Sequence, residues 1–153
     1  MPEIHISRVY PYSPEQVWRA VTDPGLVPLW TSTGRGGTPE GFSPEVGNRF
    51  RFVGKPVPGW DGIVNCEVLE VDPPALLRYA WSASGGKTTQ VTYRIEPDGD
   101  GTRFSYDHVG FQGAEGFVMA KLILGPVRRR MLDKGLPAAL ASIGDDSKQR
   151  SGK

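Results

Sequence analysis

Few side chains in this sequence could move a proton or steady a charge in an apolar setting, and most of them sit in two stretches. Of the two histidines, His108 shares its alternating parity with Phe104 and Tyr106, whereas Arg103, Ser105, Asp107 and Val109 share the other. Side chains alternate across a strand, so Phe104, Tyr106 and His108 are expected to face inward together. An imidazole titrates near neutrality, which makes His108 a candidate acid or base, with Tyr106 beside it. The plainer alternative is that His108 lines the interior as a satisfied, non-catalytic group. Glu67 is the third candidate, since a carboxyl turned into an apolar interior would have its pKa raised by desolvation. Its phase is open: Asn65, Glu67, Leu69 and Val71 form one face, Val64, Cys66 and Val68 an equally apolar other, and a bulge would reconcile them; a rim or solvent position is the plainer reading for Glu67. His5 lies opposite Ile4 and Ile6 and is expected outside.

The same parity argument sets Leu77, Tyr79 and Trp81 on one face, and likewise Val91, Tyr93 and Ile95, and Phe50 and Phe52. The result is a heavily aromatic inner wall. Rings of this kind often do no more than fill a core. Yet Tyr79, Tyr93, Tyr106, Trp81 and His108 each carry a polar group that must find a partner when buried. Other patterns are discounted. Gly34-Arg35-Gly36-Gly37 lacks the strand and the Lys-Ser/Thr of a phosphate loop, and Asp98-Gly99-Asp100-Gly101 is too short to hold calcium. No spacing of Cys and His suggests a metal site, and no cofactor is expected. Arg128-Arg129-Arg130 fan round a helix and are expected mainly on a solvated face, with the alternatives that one arginine holds a ligand carboxylate or that the patch meets an acidic partner.

These groups need elements to hold them. Glu3 to Tyr10 alternates as a strand; Ser13-Pro14-Glu15-Gln16 is a helix start with a serine cap and a capping-box glutamine, and Asp23-Pro24 stops that helix. Leu26 to Trp30 predicts a second short helix, and Thr31 to Gly47 reads as a long loop. Strands are expected at Arg49 to Val53, Gly62 to Val71, Leu76 to Ser82, Thr88 to Glu96 and Thr102 to Phe111. The turns between them carry recognisable chemistry in Asp72-Pro73-Pro74, Ser84-Gly85-Gly86 and Asp98-Gly99-Asp100-Gly101. From Ala114 to Ile143 the spacing is helical, interrupted at Gly125-Pro126 and Gly135-x-Pro137, so a kinked or broken helix is expected. Gly144 reads as its C-cap. The expected organisation is one domain over residues 1–144 and a flexible polar tail over 145–153.

The order β-α-α-β-β-β-β-β-α, with about six strands, is an α+β plan: a curved antiparallel sheet wrapped round a long C-terminal helix, a helix-grip fold. Composition agrees with it. The 153 residues hold 20 glycines and 14 prolines, many turns' worth, and one cysteine, Cys66. A lone cysteine rules out an internal disulfide and fits the reducing cytoplasm. A net charge of +1 gives no global drive toward nucleic acid, and no apolar run approaches the roughly 18 residues of a membrane span.

Four motifs in order carry a family likeness: Val17-Trp18-Arg19-Ala20-Val21-Thr22-Asp23-Pro24 with Leu29-Trp30, then Glu67 to Pro74 (EVLEVDPP), then Leu77-Arg78-Tyr79-Ala80-Trp81, then Val91-Thr92-Tyr93-Arg94-Ile95 with Gly101-Thr102-Arg103 through His108-x-Gly110-Phe111. Over Glu3 to Ile143 the chain resembles the SRPBCC superfamily, also called START or birch-pollen-allergen-like, and within it the branch related to activators of the heat-shock-protein-90 ATPase. The interruption at Gly125-Pro126 departs from that family's continuous helix. The resemblance implies an internal cavity for a lipid, sterol, polyketide or other aromatic molecule. Its lining would come from Phe50, Phe52, Leu77, Tyr79, Trp81, Val91, Tyr93, Phe104, Tyr106 and His108, with Phe117 and Leu124 from the last helix. Ligand binding is the leading expectation. The alternatives are a cyclase-, dehydratase- or hydrolase-like enzyme using His108, Tyr106 or Glu67, and a co-chaperone docking to a heat-shock ATPase; a homodimer is left open.

Overall fold

The computed structural model describes residues 3–23, 25–31, 38–54, 62–83, 88–110 and 125–151. Seven strands, β1 (Ile4–Tyr10), β2 (Thr38–Glu40), β3 (Arg49–Val53), β4 (Ile63–Asp72), β5 (Leu76–Ala83), β6 (Thr89–Asp98) and β7 (Gly101–Val109), form one sheet. Their order is β1-β7-β6-β5-β4-β3-β2, and every pairing is antiparallel. The sheet curls into a half-barrel that grips the C-terminal helix, the expected helix-grip architecture. Phe117, Leu124 and the turn at Gly85-Gly86 lie outside the described residues.

Five of the strands expected beyond the loop, and the one before the first helix, stand within two residues of their predicted limits. β2 is an addition, inside the stretch read as loop. Three residues leave no alternation to read, and Pro39 is tolerated because β2 is an edge strand whose outer side needs no N–H. In β4 the register shifts between Val68 and Glu70. That bulge settles the phase. Val64, Cys66 and Val68 are buried, Leu69 and Glu70 both point out, and Val71 turns back against the core. β6 and β7 meet in a two-residue turn in which Gly99 adopts φ +60°, as tight hairpins require. At Gly101 any Cβ would collide with the Tyr10 carbonyl, so only glycine lets β7 begin against β1.

Helix α1 (Pro14–Thr22) has the cap read from sequence: the Gln16 N–H donates to Ser13 Oγ at 3.2 Å and the Ser13 N–H donates to Gln16 Oε1 at 2.9 Å. Its buried face, Val17, Ala20 and Val21, lies on the core, and helix α2 (Val27–Thr31) adds Val27 and the fully buried Trp30.

At the C-terminus the described chain forms helix α3 (Gly125–Arg130), a π-helical turn (Met131–Gly135) and helix α4 (Leu136–Ser151). The expected interruption at Gly135-x-Pro137 is thus a widened turn and not a break. Pro137 has no N–H to give. The Leu136 N–H bonds back to the Met131 carbonyl, one residue beyond α-helical spacing. In that register the Leu132 carbonyl would look to residue 137 and find no donor. Tyr10 Oη supplies one, donating to the Leu132 carbonyl at 2.6 Å, while Arg8 Nε donates to Asp133 Oδ1 at 2.7 Å. Two side chains of β1 therefore pin the turn against the sheet edge. Gly144 does not cap the helix, which runs on to Ser151. A glycine weakens a helix by about 1 kcal/mol without stopping it.

Tyr10→Phe should cost about 1–3 kcal/mol, because it leaves a buried carbonyl without a donor. In a Pro137→Ala background, where residue 137 regains its N–H, the same change should cost clearly less. Urea unfolding of the four proteins measures the coupling, and strictly additive losses would contradict this account.

Candidate functional site

The antiparallel register stacks the inward residues into rows. Val68, Tyr79, Val91, His108 and Ile4 run across β4, β5, β6, β7 and β1; Leu77, Tyr93, Tyr106 and Ile6 form the next row. All of these are buried, as are Phe50, Trp81, Ile95 and Phe104, while Phe52 is half-buried against them. The inner wall read from strand parity is therefore present in full on the sheet. Its rings meet mostly edge to face: Phe50 and Tyr79 at 5.3 Å, Tyr79 and Tyr93 at 5.6 Å, Tyr93 and Phe104 at 5.4 Å. Trp30 closes on Tyr93 at 5.8 Å from the helical side. Such contacts add to the burial of large apolar surfaces and fix each ring's tilt.

The polar tips of the wall bond among themselves. The Tyr79 and Tyr93 hydroxyls lie 2.9 Å apart. Burial pushes both phenols well above their usual pKa, and Tyr106 upward too, where the nearby Arg128 guanidinium partly offsets the effect. His108 is fully buried, with its ring edge-on to Trp81 at 4.9 Å and Nε2 at 2.7 Å from Thr89 Oγ1. Thr89 directs its single hydroxyl hydrogen to the Trp81 carbonyl at 3.1 Å. The hydrogen-bond network thus assigns the proton in the His108–Thr89 bond to Nε2, leaving Nδ1 as the lone-pair nitrogen. Burial, reinforced by Arg128, holds the His108 pKa well below 6.5, so the imidazole is neutral at physiological pH.

Glu67 takes the plainer of its two readings: it is on the outer face, its side chain 42% exposed and 3.4 Å from Arg49 Nε, so it drops out as an interior acid or base. The β4 bulge lies beyond it and cannot turn it inward. Arg128 makes the opposite move. The three arginines do fan apart: Arg129 and Arg130 are exposed, but Arg128 is only 7% exposed. Its guanidinium carbon sits 5.7 Å from the ring centres of both Trp81 and Tyr106, and Nη1 points to Met131 Sδ at 3.6 Å. Nε has no hydrogen-bond partner among the described residues. The helical phase after Pro126 decides which arginine turns in, and the sequence does not display that phase. Thr89 was also missed, being a small polar residue with nothing in its neighbours to mark it.

Between α1, α2 and β3, the space bordered by residues including Val21, Phe42, Phe50, Tyr79 and Tyr93 measures about 10 Å³, room for about one water. On the outside, a depression of about 360 Å³ lies at the β2–β3 edge beside Glu40, Arg49, Arg51 and Asn65. Among the described residues no three His, Cys, Asp or Glu side chains gather closely enough to hold a metal ion. Cys66 is buried and its thiol pKa raised by desolvation, which leaves it unreactive. No helix of the described residues is long and apolar enough to cross a membrane.

Comparisons with known proteins follow the same lines. The profile of the family described as polyketide cyclase / dehydrase and lipid transport matches residues 1–140. A protein from Rhodobacter sphaeroides has a similar structure (TM-score 0.76, 24% identity, covering 92% of this chain and 93% of that one). So does one from Mesorhizobium loti (TM-score 0.65, 26% identity, 84% and 93%). DynU16, a protein of the dynemicin biosynthetic locus, matches 100% of this chain over 49% of its own length (TM-score 0.66, 24% identity). A search of curated proteins finds no match.

His108 makes stability depend on pH with a definite sign. Its folded pKa is depressed below 6.5, so between these values only the unfolded chain takes up the proton. Its contribution to stability is complete above pH 6.5 and is lost as the pH falls below it, at up to about 1.4 kcal/mol per pH unit. His5, raised by Asp107 and Glu3, works in the opposite sense: its contribution is present at low pH and lost as pH rises through its folded value. Urea unfolding of wild type and His108→Gln across this range should show the acid loss flattened in the variant, while His5 and the carboxylates affect both chains alike. Parallel profiles would refute the assignment.

Proposed function

The chain belongs to the polyketide cyclase/dehydrase and lipid-transport family, and on that premise we propose that it binds a hydrophobic or aromatic small molecule between its curled sheet and C-terminal helix. The observation that carries this reading is the gathering of Tyr79, Tyr93, Tyr106, His108 and Arg128 inside an otherwise apolar interior. A core built only for stability gains nothing from so many polar tips, each of which costs free energy to dehydrate. A ligand pocket needs them, because apolar walls give affinity and a few fixed polar groups give orientation. The enclosed space near Phe50, Tyr79 and Tyr93 is small, so the ligand enters by displacing side chains between α2 and the β2–β3 edge.

A second reading, cyclase or dehydrase chemistry, is supported by the charge state of His108. A neutral buried imidazole is in the form that can accept a proton, and Tyr106, next to the Arg128 cation, is the phenol of the wall best placed to donate one. Docking to a heat-shock-protein-90 ATPase rests on the sequence motifs alone. The proposed setting is the cytoplasm, in keeping with a lone, buried thiol.

Native mass spectrometry of the protein as purified from cells, set against its denatured mass, should reveal a reproducible non-covalent increment that is absent from a Tyr79→Ala, Tyr106→Ala variant. A bare chain that also takes up no hydrophobic compound from a lipid and polyketide panel would overturn the binding reading. If the extracted ligand is converted by wild type and left unchanged by His108→Gln, the function is catalytic.

A further inference from the structure

We propose that Arg128 is the anchor for a singly charged oxygen, a carboxylate or an ionised phenol or enol, on an aromatic ligand held in this interior. The proposal rests on the ligand-binding reading above and narrows its substrate class. A guanidinium stays charged at any physiological pH, so burying one obliges the structure to supply an anion or a full set of acceptors. The described residues supply neither. The ion pairs among them are on the outside of the molecule and none includes Arg128. Among the described residues its neighbours are weak acceptors, a thioether sulfur and the Tyr106 phenol, and its buried Nε goes without.

What surrounds the cation fixes the kind of anion. Trp81 and Tyr106 place rings 5.7 Å from it, and Met131 adds an apolar contact. Among the described residues the titratable neighbours, His108, Tyr93, Tyr106 and Cys66, are all held toward their neutral forms by burial. One positive charge among neutral groups is matched by one negative charge. A phosphate, with its higher charge and three oxygens, would call for further donors, which the described residues do not place beside Arg128. The planar fork of arginine suits a carboxylate or an oxygen conjugated to a ring, and the flanking aromatic faces suit the ring itself.

Calorimetric titration with 1-naphthoate and its neutral, equally shaped counterpart 1-naphthamide tests this in wild type, Arg128→Met and Arg128→Lys. Wild type should bind the carboxylate at least about tenfold more tightly than the amide. Arg128→Met should lose that preference while keeping its affinity for the amide within about twofold, and Arg128→Lys, which retains charge without the fork, should fall between. The melting temperature of Arg128→Met should hold or rise, since an unpaired buried charge gives way to an apolar chain of similar length. Equal binding of the two probes by wild type would overturn the anion site and leave the ligand-binding reading standing. Failure of both probes to bind would overturn the proposal, and the native-mass comparison then decides whether the ligand-binding reading stands. An Arg128→Met protein that is unstable at neutral pH and recovers in acid would reveal a carboxylate of the chain itself as the counter-ion, which also overturns the proposal.

Discussion

The guanidinium of Arg128 lies within a protein interior, and something has to meet the free energy of keeping it there. Dehydrating such an ion costs several kcal/mol even after relaxation, whereas a cation over an aromatic face recovers roughly 0.5–2 kcal/mol. Among the described residues, two ring faces, one phenol and one sulfur do not close that gap. The elements that place Arg128 are correspondingly well fastened: α3 runs into a π turn, and β1 holds that turn through Tyr10 on the Leu132 carbonyl and Arg8 on Asp133. The chain of causes starts at Pro137, whose missing N–H widens the turn and frees the carbonyl that Tyr10 then satisfies.

Around the cation, the interior is organised by sheet register. Once the hairpins set which residues face each other, Tyr79, Tyr93, Tyr106 and His108 are brought into adjacent rows, where Tyr79 meets Tyr93, His108 meets Thr89 and Tyr106 lies beside Arg128. Every member of this group is driven toward its uncharged form by burial, so Arg128 is the permanent charge among them. Affinity in such a site would come from ring contact and orientation from the polar tips, a division suited to planar oxygenated molecules.

What could be read from sequence follows from what has a period. Strands of eight to ten residues with sharp alternation disclosed their inward faces, so Phe104, Tyr106, His108, Leu77, Tyr79, Trp81, Val91 and Tyr93 were legible, as was the Ser13–Gln16 cap, which depends on local residue types alone. β2 is too short to show a period. β4 showed two equally apolar faces, so its phase waited on pairing with β5, which puts Cys66 and Val68 inside, leaves Glu67 at its expected outer position and locates the bulge after Val68. Arg128 was hidden because three consecutive arginines look alike until a preceding helix turn fixes which of them points in. The cavity was expected from the family likeness alone, which no periodicity in the sequence displays, and Phe117 and Leu124 of its expected lining lie outside the described residues.

The most direct measurement is a proton–nitrogen NMR spectrum of the arginine side chains, recorded with and without 1-naphthoate. The account predicts one Nε–H, assigned to Arg128 by its absence in Arg128→Met, that exchanges slowly with solvent, is shifted upfield by Trp81 and Tyr106, and moves on addition of the aromatic carboxylate while the surface arginines stay in place. An Arg128 signal that exchanges as fast as those of Arg129 and Arg130 and does not respond to the ligand would contradict it.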